Sequence, residues 1–308
     1  MSQRIFSASD FQESPARGSR SGGGSVAARV VSAVIGLIVT VPALLLVIAG
    51  GGRAYQETVL QARTEPDIGS ILVAVAGLVL LIVVVLSGLL SAAGPLIGGI
   101  LVTASSVAFL LDPMLALSAA QVLPGFGPTA VVTLTLWSQS GFLLAVGVVL
   151  LASALARVIA SRSAAARRRG ARAVVSLVVA VVATTGGLAL LVVGSTELLR
   201  SAGAFGGRSL DVASLVILLA GCLVLGGVAL TAAWSSVGTA VVGVILLVAG
   251  VAGFLPAVST FVFRALTWVS TDASAGASTM FAVGVIAVLG VALIGSAASS
   301  ARARRAAR

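Results

Sequence analysis

The stretch VVSAVIGLIVTVPALLLVIAG, Val30 to Gly50, returns 144 residues later as VVSLVVAVVATTGGLALLVVG, Val174 to Gly194. Neither copy carries a charge, and each is long enough to cross the roughly 30 Å hydrocarbon core of a bilayer at about 1.5 Å per helical residue. With no water to satisfy backbone amides and carbonyls inside lipid, a single such segment has to be helical. Val30, Val31, Ser32, Val34, Thr40, Leu44, Leu46 and Gly50 recur at the same offset as Val174, Val175, Ser176, Val178, Thr184, Leu188, Leu190 and Gly194.

The register holds further along the chain. Asp67, Ser70, Gly77, Ser91, Gly94 and Gly99 match Asp211, Ser214, Gly221, Ser235, Gly238 and Gly243. Ala145-Val146-Gly147-Val148 recurs as Ala282-Val283-Gly284-Val285, which implies a seven-residue deletion in the second copy. Self-similarity at one fixed period marks a duplicated architecture. The expected fold is therefore an all-α polytopic membrane protein, with eight transmembrane helices arranged as two tandem parallel four-helix repeats. An even number of spans per repeat gives both halves the same orientation and relates them by a pseudo-two-fold axis along the membrane normal. The expected divisions are a disordered tail at 1–25, a first repeat at 26–160, an arginine-rich linker at 161–172, a second repeat at 173–298 and a basic tail at 299–308.

Composition agrees: of 308 residues 59% are hydrophobic and 9% charged, with mean hydropathy +1.19, too few charges to coat a soluble domain. Apolar runs fall at 27–51, 68–90, 94–111, 140–160, 173–195, 212–233, 237–255 and 278–297. The first is too long for the apolar core of a signal peptide and reads as an uncleaved span. All nineteen basic residues are arginine, which with the Ala, Gly and Val richness suggests a high-GC bacterial genome and hence the plasma (inner) membrane.

Fourteen arginines cluster before span one, between spans four and five, and after span eight, whereas Arg53, Arg63, Arg200, Arg208 and Arg264 share the opposite loops with most of the carboxylates. The positive-inside rule then places both termini in the cytoplasm. The net charge of +10 sits in tails and one loop, which points to anionic lipid headgroups and not to nucleic acid. Residues 114–137 are uncharged but interrupted by Pro124-Gly125-Phe126-Gly127-Pro128. They read as an interfacial or re-entrant element with Trp137 at headgroup depth, and 257–276 as its counterpart.

Chemistry is sparse. Without histidine there is no imidazole acid-base pair or His-ligated metal, and without lysine no phosphate-cradling Gly-rich loop of the lysine type. The single cysteine, Cys222, lies in an apolar run and reads as a small buried side chain. No catalytic, cofactor or metal residue is assigned, and the chain is expected not to be an enzyme. A membrane enzyme would require Asp67, Asp211, Asp112 and Glu197 to converge.

Two candidate sites remain. Thr40 and Pro42 align with Thr184 and Gly186, so both helices are weakened at one depth; paired interruptions of this kind mark solute sites in transporters built from repeats. Asp67 and Asp211 form a candidate outer rim, or simply cap their helices. The glycines of spans three and seven, Gly94, Gly98, Gly99, Gly238 and Gly243, make those spans the expected interface between halves. The expected function is a non-enzymatic scaffold or accessory subunit of a bacterial envelope complex, with a membrane-protein partner on 113–138 or 257–276. The alternative is a permease for a neutral or hydrophobic solute.

Overall fold

A computed structural model describes residues 25–57, 61, 65–122, 127–162, 169–203, 211–268 and 270–307. The amino-terminal tail (1–24) and the middle of the arginine-rich linker (163–168) lie outside the described residues. Everything described is helix, turn or irregular backbone, without a strand. The first half comprises α1 (Val26–Tyr55), α2 (Ile68–Ser87), α3 (Ala93–Leu111), α4 (Pro113–Val122), α5 (Pro128–Gln139) and α6 (Phe142–Arg162). The second comprises α7 (Arg169–Gly203), α8 (Val212–Thr231), α9 (Ser236–Ala252), α10 (Pro256–Leu266), α11 (Thr271–Ala282) and α12 (Val285–Ala306).

Seven of these, α1, α2, α3, α6, α7, α8 and α12, are long and apolar enough to cross a membrane. The short α9, continued by α10 after a bend of 111°, makes an eighth if the pair counts as one span. The chain is a multi-span helical membrane protein. Its exposed Val, Leu and Ile side chains, such as Val30, Leu72, Ile100, Val182 and Leu223, are what a lipid-facing surface requires.

Within each half the helices pack alike: α1 lies on α2 and α3 as α7 lies on α8 and α9, and α3 packs on α6 as α9 packs on α12. Lipid tails are as apolar as leucine, so close backbone approach and van der Waals contact hold such helices together. A Cβ at Gly77 would stand 2.6 Å from the Ala43 carbonyl oxygen, and one at Gly221 would stand 3.0 Å from that of Gly187. The glycines are the reason α1 and α2, and α7 and α8, can touch along their backbones.

The halves meet through α6 and α12, with α6 also on α8 and α12 also on α2. Spans three and seven, expected as the central interface, do not pack on each other. Their glycines are spent inside each half: Gly98 faces Thr40 of α1, Gly99 faces Leu151 of α6, and Gly243 faces Ile294 of α12. The centre is filled by Leu150, Leu289 and Leu293, each essentially inaccessible.

Two more expectations change. Span eight, read at 278–297, is α12 at 285–306, so residues 299–306, taken as a tail, continue a helix. The cause is Gly284, whose φ of +85° ends α11 and starts α12; Gly141, at φ +73°, does the same between α5 and α6. Left-handed backbone of this kind costs an L side chain about 1–2 kcal/mol, and only glycine takes it freely. Gly284, read in the sequence as the match of Gly147, has the same left-handed turn as Gly141.

Candidate functional site

Each expected site residue has a definite place. Thr40 is buried, donates from Oγ1 to the Gly36 carbonyl at 2.6 Å, and fills the space in front of Gly98. Pro42, one residue past Val41, is exposed on the outside of α1, which continues as helix across it although the proline supplies no amide to the turn before. In α7, Thr184 is buried with its Oγ1 unpartnered. Gly186 faces open space, and Gly187 packs on Leu225. α1 and α7 share no packed face, so the structure does not gather Thr40, Pro42, Thr184 and Gly186 around one cavity.

Asp67 and Asp211 are N-caps with the same geometry. Asp67 accepts from the amides of Gly69 and Ser70, each at 3.1 Å, and from the Ser70 hydroxyl. Asp211 accepts from the amides of Ala213 and Ser214, at 3.1 and 3.3 Å, and from the Ser214 hydroxyl. The serine hydroxyl, followed by the helix amides, holds each carboxyl below its usual range. Neither aspartate meets Asp112 or Glu197. Asp112 accepts from the Met114 amide, and Glu197 pairs with Arg200 at 2.7 Å. Arg200 also reaches Asp272, at 2.5 Å, and so ties α7 to α11. Among the described residues no three metal-binding side chains converge.

The two short-helix elements differ from each other. α4 and α5 fold into the bundle: Ala116, Ala120, Ala130, Thr133 and Leu134 are buried. Trp137, expected at headgroup depth, is fully enclosed and stands edge-on to Phe142 with ring centroids 6.4 Å apart. α10, in contrast, has α11 as its main neighbour among the described helices. Pro256 and Ser259 are its buried residues, while Phe261, Phe263, Arg264 and, just beyond, Trp268 stand out from the bundle. Trp268 is 94% exposed and Trp234, in the turn between α8 and α9 at the other end, 71% exposed. Indoles prefer the two membrane–water interfaces, and these two stand at opposite ends of the bundle.

One recess was not foreseen. A cleft of about 240 Å³ opens among α1, α3, α4, α5 and α6, lined by Leu44, Leu45, Ile48, Val102, Phe109 and Leu134. Its polar member, Ser105, donates to the Leu101 carbonyl at 2.8 Å and has no strong call on a ligand. Hydropathy cannot reveal such a cleft, because the residues that line it have the same character as those that face lipid.

No protein-family model, curated protein or solved structure matches the chain.

Proposed function

We propose that the protein is a non-enzymatic scaffold or accessory subunit of a bacterial envelope complex, and that α10 is the face it offers to a membrane-protein partner. The observation that carries this reading is the exposure of Phe261, Phe263 and Trp268 on and just past a short helix whose main neighbour among the described helices is α11. Exposed aromatic side chains are enriched at interaction surfaces. The filled α6–α12 seam supports the same reading, since a conduit along the axis between the halves would need a polar lining there.

The halves, on this reading, are a tandem duplication with a pseudo-two-fold axis along the membrane normal. Support comes from α2 and α8, whose ends lie 144 residues apart at both termini, from the matched caps Asp67 and Asp211, and from the matched left-handed Gly141 and Gly284. Both termini lie in the cytoplasm of a bacterial cell. Among the described residues every carboxylate sits at the end of the bundle opposite Arg29, Arg157, Arg162, Arg302, Arg304 and Arg305, the asymmetry expected for the positive-inside rule.

The test is purification of the tagged chain from its native membrane in mild detergent. The expected result is a stoichiometric protein partner that is lost when Phe261 and Trp268 are both changed to Ser, with the thermal stability of the isolated chain unchanged. Recovery of the chain alone would overturn the proposal. The apolar cleft favours one second reading, a permease for a hydrophobic solute. That reading expects a bound apolar molecule in the purified protein, released by Leu45→Trp.

A further inference from the structure

The end of the bundle formed by the α2–α3 turn, the α8–α9 turn and the last turns of α6 and α12 is built from cations and carbonyls. Arg157 Nη2 donates to the Leu90 carbonyl at 3.0 Å, and Arg304 Nη1 donates to the carbonyls of Ala232 and Ala233, the latter at 3.0 Å. Each guanidinium thus serves carbonyls left free where α2 and α8 end, and its charge suits the negative pole of the helix. Ala156 and Ala160 of α6 pack with Ala303 of α12 and Ala233 of the α8–α9 turn, which fixes the two helix ends side by side.

This leaves an electrostatic deficit. Arg157 Nη1 is shielded from water and finds no acceptor among the described residues. Arg302, exposed on α12, directly precedes Ala303, and Arg157 directly follows Ala156; both alanines belong to the packed cluster that joins the two helix ends, which brings the like charges of Arg157 and Arg302 to the same place. Ser300, two residues before Arg302 and fully buried, also has an unpartnered hydroxyl. No carboxylate among the described residues stands at this end to compensate. An unpaired buried donor is costly, and more so when it is charged. Trp234, exposed beside the carbonyls that Arg304 holds, places this level at the membrane–water interface, where headgroup phosphates lie.

We propose that the ends of α6 and α12 form a phosphate-binding site in which Arg157 and Arg302 clamp one anionic phosphate group. Arginine suits this because its planar fork of donors matches two phosphate oxygens at once. Arg157 as a whole is only half-buried, so a phosphate seated at Arg302 has a short path to it. The ligand chemistry is that of a phosphate mono- or diester, and the interfacial depth makes an anionic phospholipid headgroup the source. The site goes beyond the scaffold reading and does not depend on it, because it lies at the opposite end of the bundle from α10.

The full chain, purified in detergent at about 0.15 M ionic strength to screen diffuse attraction, is unfolded thermally with phosphatidylglycerol, with phosphatidylcholine of the same acyl chains, or with inorganic phosphate. Phosphatidylglycerol is expected to raise Tm by several degrees over phosphatidylcholine. Arg302→Ala, at an exposed position that leaves the Arg157–Leu90 bond intact, removes most of that gain, whereas Arg305→Ala, one turn on and equally exposed, retains it. Mass spectrometry of the intact complex should find phosphatidylglycerol retained by the wild type and Arg305→Ala but not by Arg302→Ala. A gain from inorganic phosphate alone, lost in Arg302→Ala, keeps the site and assigns it a soluble source. Equal gains from the two lipids, or equal losses in both variants, overturn it.

Discussion

Thr133 stands directly in front of Gly52: a Cβ on that glycine would lie 2.0 Å from the threonine Oγ1, so α1 and α5 meet only because residue 52 has no side chain. The α7–α11 contact has the reverse arrangement: Gly276 of α11 faces Thr196 of α7, with a Cβ at Gly276 falling 2.5 Å from Thr196 Cγ2. One small and one branched residue fill the same gap from opposite sides.

This exchange makes a double-mutant prediction. Gly52→Thr alone overpacks the α1–α5 contact and should destabilise the protein by about 1–3 kcal/mol. Combined with Thr133→Gly it reproduces the arrangement of the second half, and a large part of the loss should return. Thermal unfolding of the two singles and the double in detergent gives the coupling, for which contacting residues show about 0.5–3 kcal/mol. Strict additivity would show that the contact is not shared.

The left-handed glycines predict a contrast among glycine-to-alanine changes. Gly284→Ala should cost about 1–2 kcal/mol from backbone conformation alone, with more from the Phe254 ring, 2.9 Å from the new Cβ. Gly141→Ala should behave likewise, against Leu218. Gly186→Ala meets nothing within 4 Å and should be neutral or stabilising by up to about 1 kcal/mol through helix propensity. Midpoints of unfolding measured side by side decide the order.

Acid stability should report the two caps. Asp67 and Asp211 have carboxyl groups held below the ordinary 3.8 by their serine and amide donors. Lowered folded values mean that the charged caps stabilise above the unfolded value, and that this contribution disappears as pH falls through the folded one. The thermal midpoint should therefore drop below about pH 4, and the drop should be shallower in the Asp67→Asn, Asp211→Asn double variant, which starts lower at pH 7. A double variant with an undiminished acid slope would show that the two caps do not set it.

Orientation is open to direct labelling. Arg305→Cys and Thr267→Cys place exposed thiols at opposite ends of the bundle, while native Cys222 is buried. In intact cells an impermeant thiol reagent should modify the cysteine at 267 and spare the one at 305, and in inverted vesicles the pattern should reverse. Labelling of 305 from outside would refute cytoplasmic termini.

How far the chain is legible without its fold varies with the physics involved. Mean hydropathy and segment length decide whether a helix enters lipid, because partitioning depends on the side chains themselves; the multi-span helical character, most span positions and the caps at Asp67 and Asp211 could be read directly. Which faces touch was not visible. A membrane helix is apolar all round, so nothing in its pattern separates a lipid-facing leucine from a buried one. Tertiary packing alone put α6 and α12 at the centre in place of spans three and seven, enclosed Trp137, separated Thr40 from Thr184, opened the cleft at Leu45 and left α10 uncovered. It also moved the start of the last span, because a positive φ at Gly284 is a property of the folded backbone and not of hydropathy.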